Sequence, residues 1–165
     1  MIFITVFIFY LAKNADAESA KSISFWQITD IHYDKFYMQN GKKDEFCHGT
    51  DGTAEMFGEY GCETGTDIFV SSIKAMAEIE SDPEFILWTG DSSPHWSKSP
   101  PNWTYIFEAE KFVAGKIREY FPNTTIVPIL GNHDSYVPDN YTANDMKVKG
   151  VTVINFPYNN YFTLG

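Results

Sequence analysis

Three times in this chain a short apolar run stops at a cluster of acid, imidazole or carboxamide side chains, and that repetition limits the folds open to it. Phe85-Ile86-Leu87-Trp88-Thr89 runs into Gly90-Asp91-Ser92-Ser93-Pro94-His95. Ile23-Ser24-Phe25-Trp26-Gln27-Ile28-Thr29 runs into Asp30-Ile31-His32, and Thr125-Ile126-Val127-Pro128-Ile129-Leu130 runs into Gly131-Asn132-His133-Asp134. Runs of this length and composition read as buried parallel strands. Pro94 keeps the central one from continuing as helix. Between the strands lie two helical patterns. The first spans 66–80, with Thr66 or Asp67 placed to cap it and Phe69, Ile73, Met76 and Ala77 on one face. The second spans 104–120, with Ile106, Ala109, Val113, Ile117 and Tyr120 as its apolar stripe. Strand–helix–strand–helix–strand with parallel strands implies an α/β fold built as a βαβαβ unit with right-handed crossovers. All three polar clusters then emerge at one edge of one sheet, where open α/β sheets place their ligand-binding groups.

The stretch 33–65 has almost no hydrophobic period but carries Gly41, Gly49, Gly52, Gly58, Gly61 and Gly65. A loop this long is usually functional or pinned. Cys47 and Cys62 suit a disulfide that closes about 15 residues, worth about 3 kcal/mol in the chain-entropy model. His48 beside the first cysteine leaves a zinc knuckle incomplete and reads as a surface residue. Tyr33, Phe36, Trp96 and Trp103 suit core filling, and also the stacking of a base or the holding of a lipid tail.

With 165 residues, the chain suits one domain with a sizeable core. Its net charge of -10 argues against nucleic-acid binding, since no Lys/Arg cluster is available to displace counterions from phosphates. An anionic substrate needs local positive charge, and bound cations supply it without basic side chains. The apolar segment 2–12 is too short to span about 30 Å of hydrocarbon, and Ala15-Asp16-Ala17 offers a cleavage site. Residues 1–17 are therefore expected to be a secretory signal, although a basic n-region is missing; a buried N-terminal helix or short anchor is the alternative. Asn102, Asn123 and Asn140 begin sequons and are the expected N-glycan acceptors.

Asp30, His32, Asp91 and Asn132 offer carboxylate, imidazole and amide-oxygen donors, a set suited to Zn²⁺, Mn²⁺ or Fe. A carboxylate on the central strand is placed to bridge two cations about 3.5–4 Å apart, which is the role expected of Asp91. His133 and His95 remain as candidate catalytic residues, to protonate a departing alkoxide or hold a phosphate oxygen. Singly, Asp30 also reads as a helix-cap or turn acid, His32 as a satisfied partly buried imidazole, Asn132 as a turn residue tolerant of left-handed dihedrals and His95 as an exposed loop residue.

The order Asp-x-His, Gly-Asp, Gly-Asn-His-Asp resembles the calcineurin-like metallophosphoesterases, and in detail the acid sphingomyelinase-like phosphodiesterases among them. The closer similarity rests on Phe25-Trp26, Asp30-Ile31-His32-Tyr33-Asp34, Phe85 through Asp91, Pro94-His95, Phe121-Pro122-Asn123 and Leu130-Gly131-Asn132-His133-Asp134. It covers about residues 22–140. The resemblance implies a layered α/β sandwich with two divalent ions, zinc above all, at the sheet edge. By that resemblance Asp30 and His32 bind the first ion, Asp91 bridges, Asn132 binds the second, and His95 and His133 meet the scissile phosphate and leaving group. The leader and sequons lead to the expectation of a secreted or lysosomal protein, a monomer with at most peripheral membrane contact. Its substrates would be phosphodiesters, nucleotides or a lipid head group, cleaved by metal-activated water. The short stretch before the first strand has no room for a saposin domain, which favours the branch that cleaves nucleotides and related phosphodiesters.

The pattern is incomplete. The family adds three later histidines, including a Gly-His-x-His pair, and no histidine follows His133. Residues 18–165 are therefore expected to be the N-terminal part of a catalytic domain, with weak metal binding and little turnover by themselves. The competing expectation is a non-enzymatic secreted glycoprotein that retains half of the metal site.

Overall fold

The computed structural model describes residues 3–9, 22–95 and 103–135. Its elements are β1 (Phe3–Phe9), β2 (Ile23–Thr29), α1 (Thr66–Ile79), β3 (Phe85–Trp88), α2 (Trp103–Tyr120) and β4 (Thr125–Pro128), with short 3₁₀ turns at Lys43–Glu45 and Asn132–Asp134. The sheet order is β1-β2-β3-β4. β2, β3 and β4 are parallel, with Phe25 opposite Phe85 and Phe85 opposite Thr125, so the three strands end level with one another. The βαβαβ unit expected from the sequence is present. β1 joins the outer side of β2 antiparallel, from Phe3 opposite Thr29 to Phe9 opposite Ile23. Its Phe-Ile-Thr-Val-Phe-Ile-Phe run, the segment expected to serve as a leader, is rich in the β-branched and aromatic residues that suit a strand.

Both helices pack on one face of the sheet, as two successive parallel crossovers of the same hand require. Trp26, Ile28, Ile86, Trp88 and Ile126 point into that face, where they meet Phe69, Ile73 and Met76 of α1, Ala109, Val113 and Ile117 of α2, and Phe121. The opposite face carries Phe85 and Leu87, half-buried, and Val127, 41% exposed. β3 is therefore buried on alternate residues, not throughout as its unbroken apolar run suggested, because the described residues supply one helical layer.

The helices differ from expectation at two points. α1 is capped by extended Gly65 with no side-chain bond to the helix end; Thr66 lies inside the first turn and its Oγ1 pairs with the Tyr33 hydroxyl at 3.1 Å. Asp67 still complements the helix dipole from the first turn. In α2, Glu110 is 2% exposed on the core stripe. No described helix is long and apolar enough to cross a membrane. The disulfide Cys47–Cys62 closes the long loop, with Cα atoms 6.0 Å apart. His48 is not a free surface residue: its Nε2 lies 2.6 Å from Oδ2 of Asp34, which also accepts the Tyr105 hydroxyl at 3.1 Å on Oδ1. Tyr33 is a core residue, stacked on Phe112 at 4.2 Å. Trp96, Asn102, Asn140 and the strands expected after residue 151 lie outside the described residues; Asn123 is exposed in the turn before β4.

Candidate active site

The backbone beyond the strand ends continues the sheet's pairing. Asp30 N–H donates to Gly90 O at 3.2 Å, His32 N–H to Asp91 O at 2.9 Å, and Tyr33 N–H to Ser92 O at 2.8 Å. The turns after β3 and β4 are joined by the carboxylate of Asp134. Its Oδ2 accepts the N–H groups of Asp91 and Gly131, both at 2.8 Å, and its Oδ1 accepts those of Ser92 at 2.8 Å and Ser93 at 3.4 Å. The two turns touch at glycines. A Cβ on Gly131 would stand 2.2 Å from Asp91 Oδ1 and 2.3 Å from its N. Gly131 has φ -89, which alanine accepts, so Gly131→Ala acts through that contact alone. It is expected to displace Asp91 and lower divalent-cation affinity about tenfold, the scale of disturbed support around a metal site; unaltered affinity by calorimetric titration would dismiss the contact.

Asp30, His32 and Asp91 each sit just past a strand end with left-handed backbone, at φ 52, 44 and 54. Asp and His tolerate this region better than most residues, but three in one site is a concentration of strain typical of functional sites. The result is convergence: one ligating atom from each residue lies within 4.8 Å of the others. His32 Nδ1 is 2.8 Å from the Ser93 carbonyl, which can only accept, so Nδ1 carries the proton. Nε2 is left as the basic nitrogen, 3.9 Å from Asp30 Oδ1. Burial pushes the His32 imidazole below its usual range, outweighing its bond to Ser93 and keeping the ring neutral. A neutral imidazole whose far nitrogen donates to a carbonyl is the form that ligates metals. Asp91 Oδ1 accepts the N–H of His133 at 2.8 Å, which anchors the carboxylate between two turns. This donor set fits a divalent cation.

Three imidazoles gather over it. The His95 ring is 3.9 Å from that of His32 and 4.1 Å from that of His133, and His32 and His133 are 5.3 Å apart. Asn132 opens the 3₁₀ turn between Gly131 and His133 and is exposed. The six residues singled out from the sequence thus lie on three turns at one sheet edge. Three others escaped that reading. Glu63 Oε1 lies 3.1 Å from both the backbone N and the Nδ1 of His95; Asp134 ties the turns; Glu110 is buried near Asp134. The first two are visible only once the loop and turns are folded together, and the third only because its place on the stripe of α2 is also its place in the core.

A parallel sheet whose strand ends gather carboxylates and imidazoles within 4.8 Å of one another presents them at the edge where α/β proteins place their ligand-binding groups. The chain belongs to the calcineurin-like phosphoesterase family, whose model matches residues 23–164. It is 37% identical over 143 residues to sphingomyelinase phosphodiesterase C of Dictyostelium discoideum, an alignment covering 82% of this chain and 32% of the relative. It is 34% identical over 139 residues to the acid sphingomyelinase-like phosphodiesterase 3b of Homo sapiens, covering 82% and 30%. It is 27% identical over 128 residues to the cyclic GMP-AMP phosphodiesterase SMPDL3A of Bos taurus, covering 75% and 28%. The chain spans about a third of the length of these curated relatives.

Proposed function

We propose that these residues form the N-terminal share of a secreted, binuclear-metal phosphodiesterase site. The observation that carries the reading is the Asp30–His32–Asp91 cluster, held within 4.8 Å by strained backbone at adjacent strand ends. Asp30 and His32 would hold one divalent cation, Asp91 would be shared, and Asn132 would reach the second; zinc suits the mixed nitrogen and oxygen donors. Bound there, divalent cations supply Lewis-acid charge that acidifies water and offsets negative charge on a phosphoryl group. The chain's own residues do the rest. His95 and His133, whose rings lie beside that of His32, would serve one to hold a phosphate oxygen and the other to give a proton to the leaving alkoxide. The substrate class is a phosphodiester, either a nucleotide or a lipid head group, which is the bond shared by the relatives named for sphingomyelin and for cyclic GMP-AMP. The disulfide and exposed Asn123 suit an oxidising, glycosylating compartment.

Calorimetric titration of the chain with Zn²⁺ and Mn²⁺ reads the site directly. Asp91→Ala should weaken binding by at least about tenfold and remove any cation-dependent hydrolysis of bis(4-nitrophenyl) phosphate. Equal affinity in the two proteins would reject Asp91 as the shared ligand. A folded chain with neither cation uptake nor hydrolysis would point to the non-enzymatic glycoprotein that keeps half of a metal site.

A further inference from the structure

We infer that Glu63 is a positioning residue: it clamps His95 in the Nδ1–H tautomer and leaves Nε2 as the nitrogen that works at the site. The inference rests on the reading of His95 as a residue that meets the substrate phosphate, and it extends the site to a loop more than thirty positions away in sequence.

The geometry is specific. One carboxylate oxygen, Oε1 of Glu63, is 3.1 Å from the backbone N of His95 and 3.1 Å from its ring Nδ1. The backbone N–H can only donate, so Oε1 is an acceptor, and a carboxylate beside a neutral imidazole takes the proton-bearing nitrogen as its partner. Two bonds from one oxygen to the backbone and ring of the same residue fix the direction in which the ring leaves the chain. Without them, His95 is a half-exposed side chain at the end of a turn, its side chain 53% accessible against 17% for Glu63. Such a ring would rotate and exchange tautomers, as exposed side chains do.

Glu63 is itself held from both sides. Cys62, the residue before it, is disulfide-bonded to Cys47. Thr64, the residue after it, donates its N–H to His32 O at 3.1 Å and accepts from Asp34 N–H at 2.9 Å. The loop 33–65 thereby delivers a carboxylate to the imidazole cluster, and its cross-link restrains the element that carries that carboxylate. The same arrangement, a base oriented by a third group, recurs wherever an imidazole must present one chosen nitrogen.

Long-range ¹H–¹⁵N spectra of the metal-free chain, recorded where the rings are neutral, test this without reference to cation binding or hydrolysis. A failure of the phosphodiesterase reading is thereby separate from a failure of this one. The expected wild-type result is a protonated-type Nδ1 and an unprotonated-type Nε2 for His95. Glu63→Ala should lose that tautomer in favour of Nε2–H, while Glu63→Gln, whose amide oxygen still accepts, should retain it. The shifts of His48, bound to Asp34, report that the fold is intact. A wild-type His95 already in the Nε2–H form, or one unmoved by Glu63→Ala, overturns the inference. Should the alanine variant not fold, the wild-type and Glu63→Gln spectra decide it by themselves.

Discussion

Asp134→Ala should destabilise the chain by about 3–5 kcal/mol, the cost of stripping a buried charged acceptor from donors that cannot reach water. Asp134 is 3% exposed and its two oxygens serve four backbone N–H groups from the turns after β3 and β4. Truncation leaves those donors facing a cavity. It also separates the turn bearing Asp91 from the one bearing Asn132 and His133, so cation binding should fall with stability. Asp134→Asn is a sharper variant, since its carboxamide must set an NH₂ against either the Asp91 and Gly131 donors or those of Ser92 and Ser93; it too should lose stability. Urea unfolding measures both. A loss below about 1 kcal/mol in Asp134→Ala would mean that the turns hold their shape through other contacts.

Glu110→Gln should act in the opposite direction, raising stability at pH 7 by about 3 kcal/mol. Burial, with the nearby Asp134 charge adding to it, pushes the Glu110 carboxyl up from 4.5 to about 9. Neither of its oxygens finds a hydrogen-bond partner among the described residues. Burial pushes the neighbouring Asp134 carboxyl up as well, but its oxygens accept four backbone N–H groups while those of Glu110 accept none, so of this pair Glu110 keeps the proton. Below about pH 4.5 both folded and unfolded chains hold that proton and the group contributes nothing to the pH dependence. Between about 4.5 and 9 the unfolded chain releases it while the folded chain retains it, so stability falls as pH rises; above about 9 both are ionised and the loss levels off. A glutamine of nearly the same shape removes this slope. Denaturant midpoints at pH 5, 7 and 9 should fall faster in the wild type than in Glu110→Gln, and parallel curves would show that Glu110 is already ionised in the folded protein.

Much of this architecture was legible in the residues because local and global signals agree. Strand and helix limits follow from apolar runs and from a helical stripe that Phe69, Ile73 and Met76 fill as expected. The convergence of Asp30, His32 and Asp91 follows from parallel topology, which brings level strand ends to one edge whatever the intervening sequence. Less legible was anything decided by an irregular segment. Glu63 belongs to a loop with no period, and only its fold against Thr64 and the cross-link shows which imidazole it faces. His48 read as surface because nothing near it in sequence indicates that Asp34 is its partner. Thr66 looked like a cap by composition, but Gly65 holds the N-cap position, the helix starts at Thr66 and the hydroxyl is engaged by Tyr33.

The left-handed turns of Asp30, His32 and Asp91 carry a conformational cost that the sheet and helices by themselves do not require. Glycine would sit in each of those corners with less discomfort and would make the molecule easier to fold. A side chain bent into a posture usually left to glycine is tolerated where its head group is needed, so a descendant freed from chemistry would be the one to relax there first.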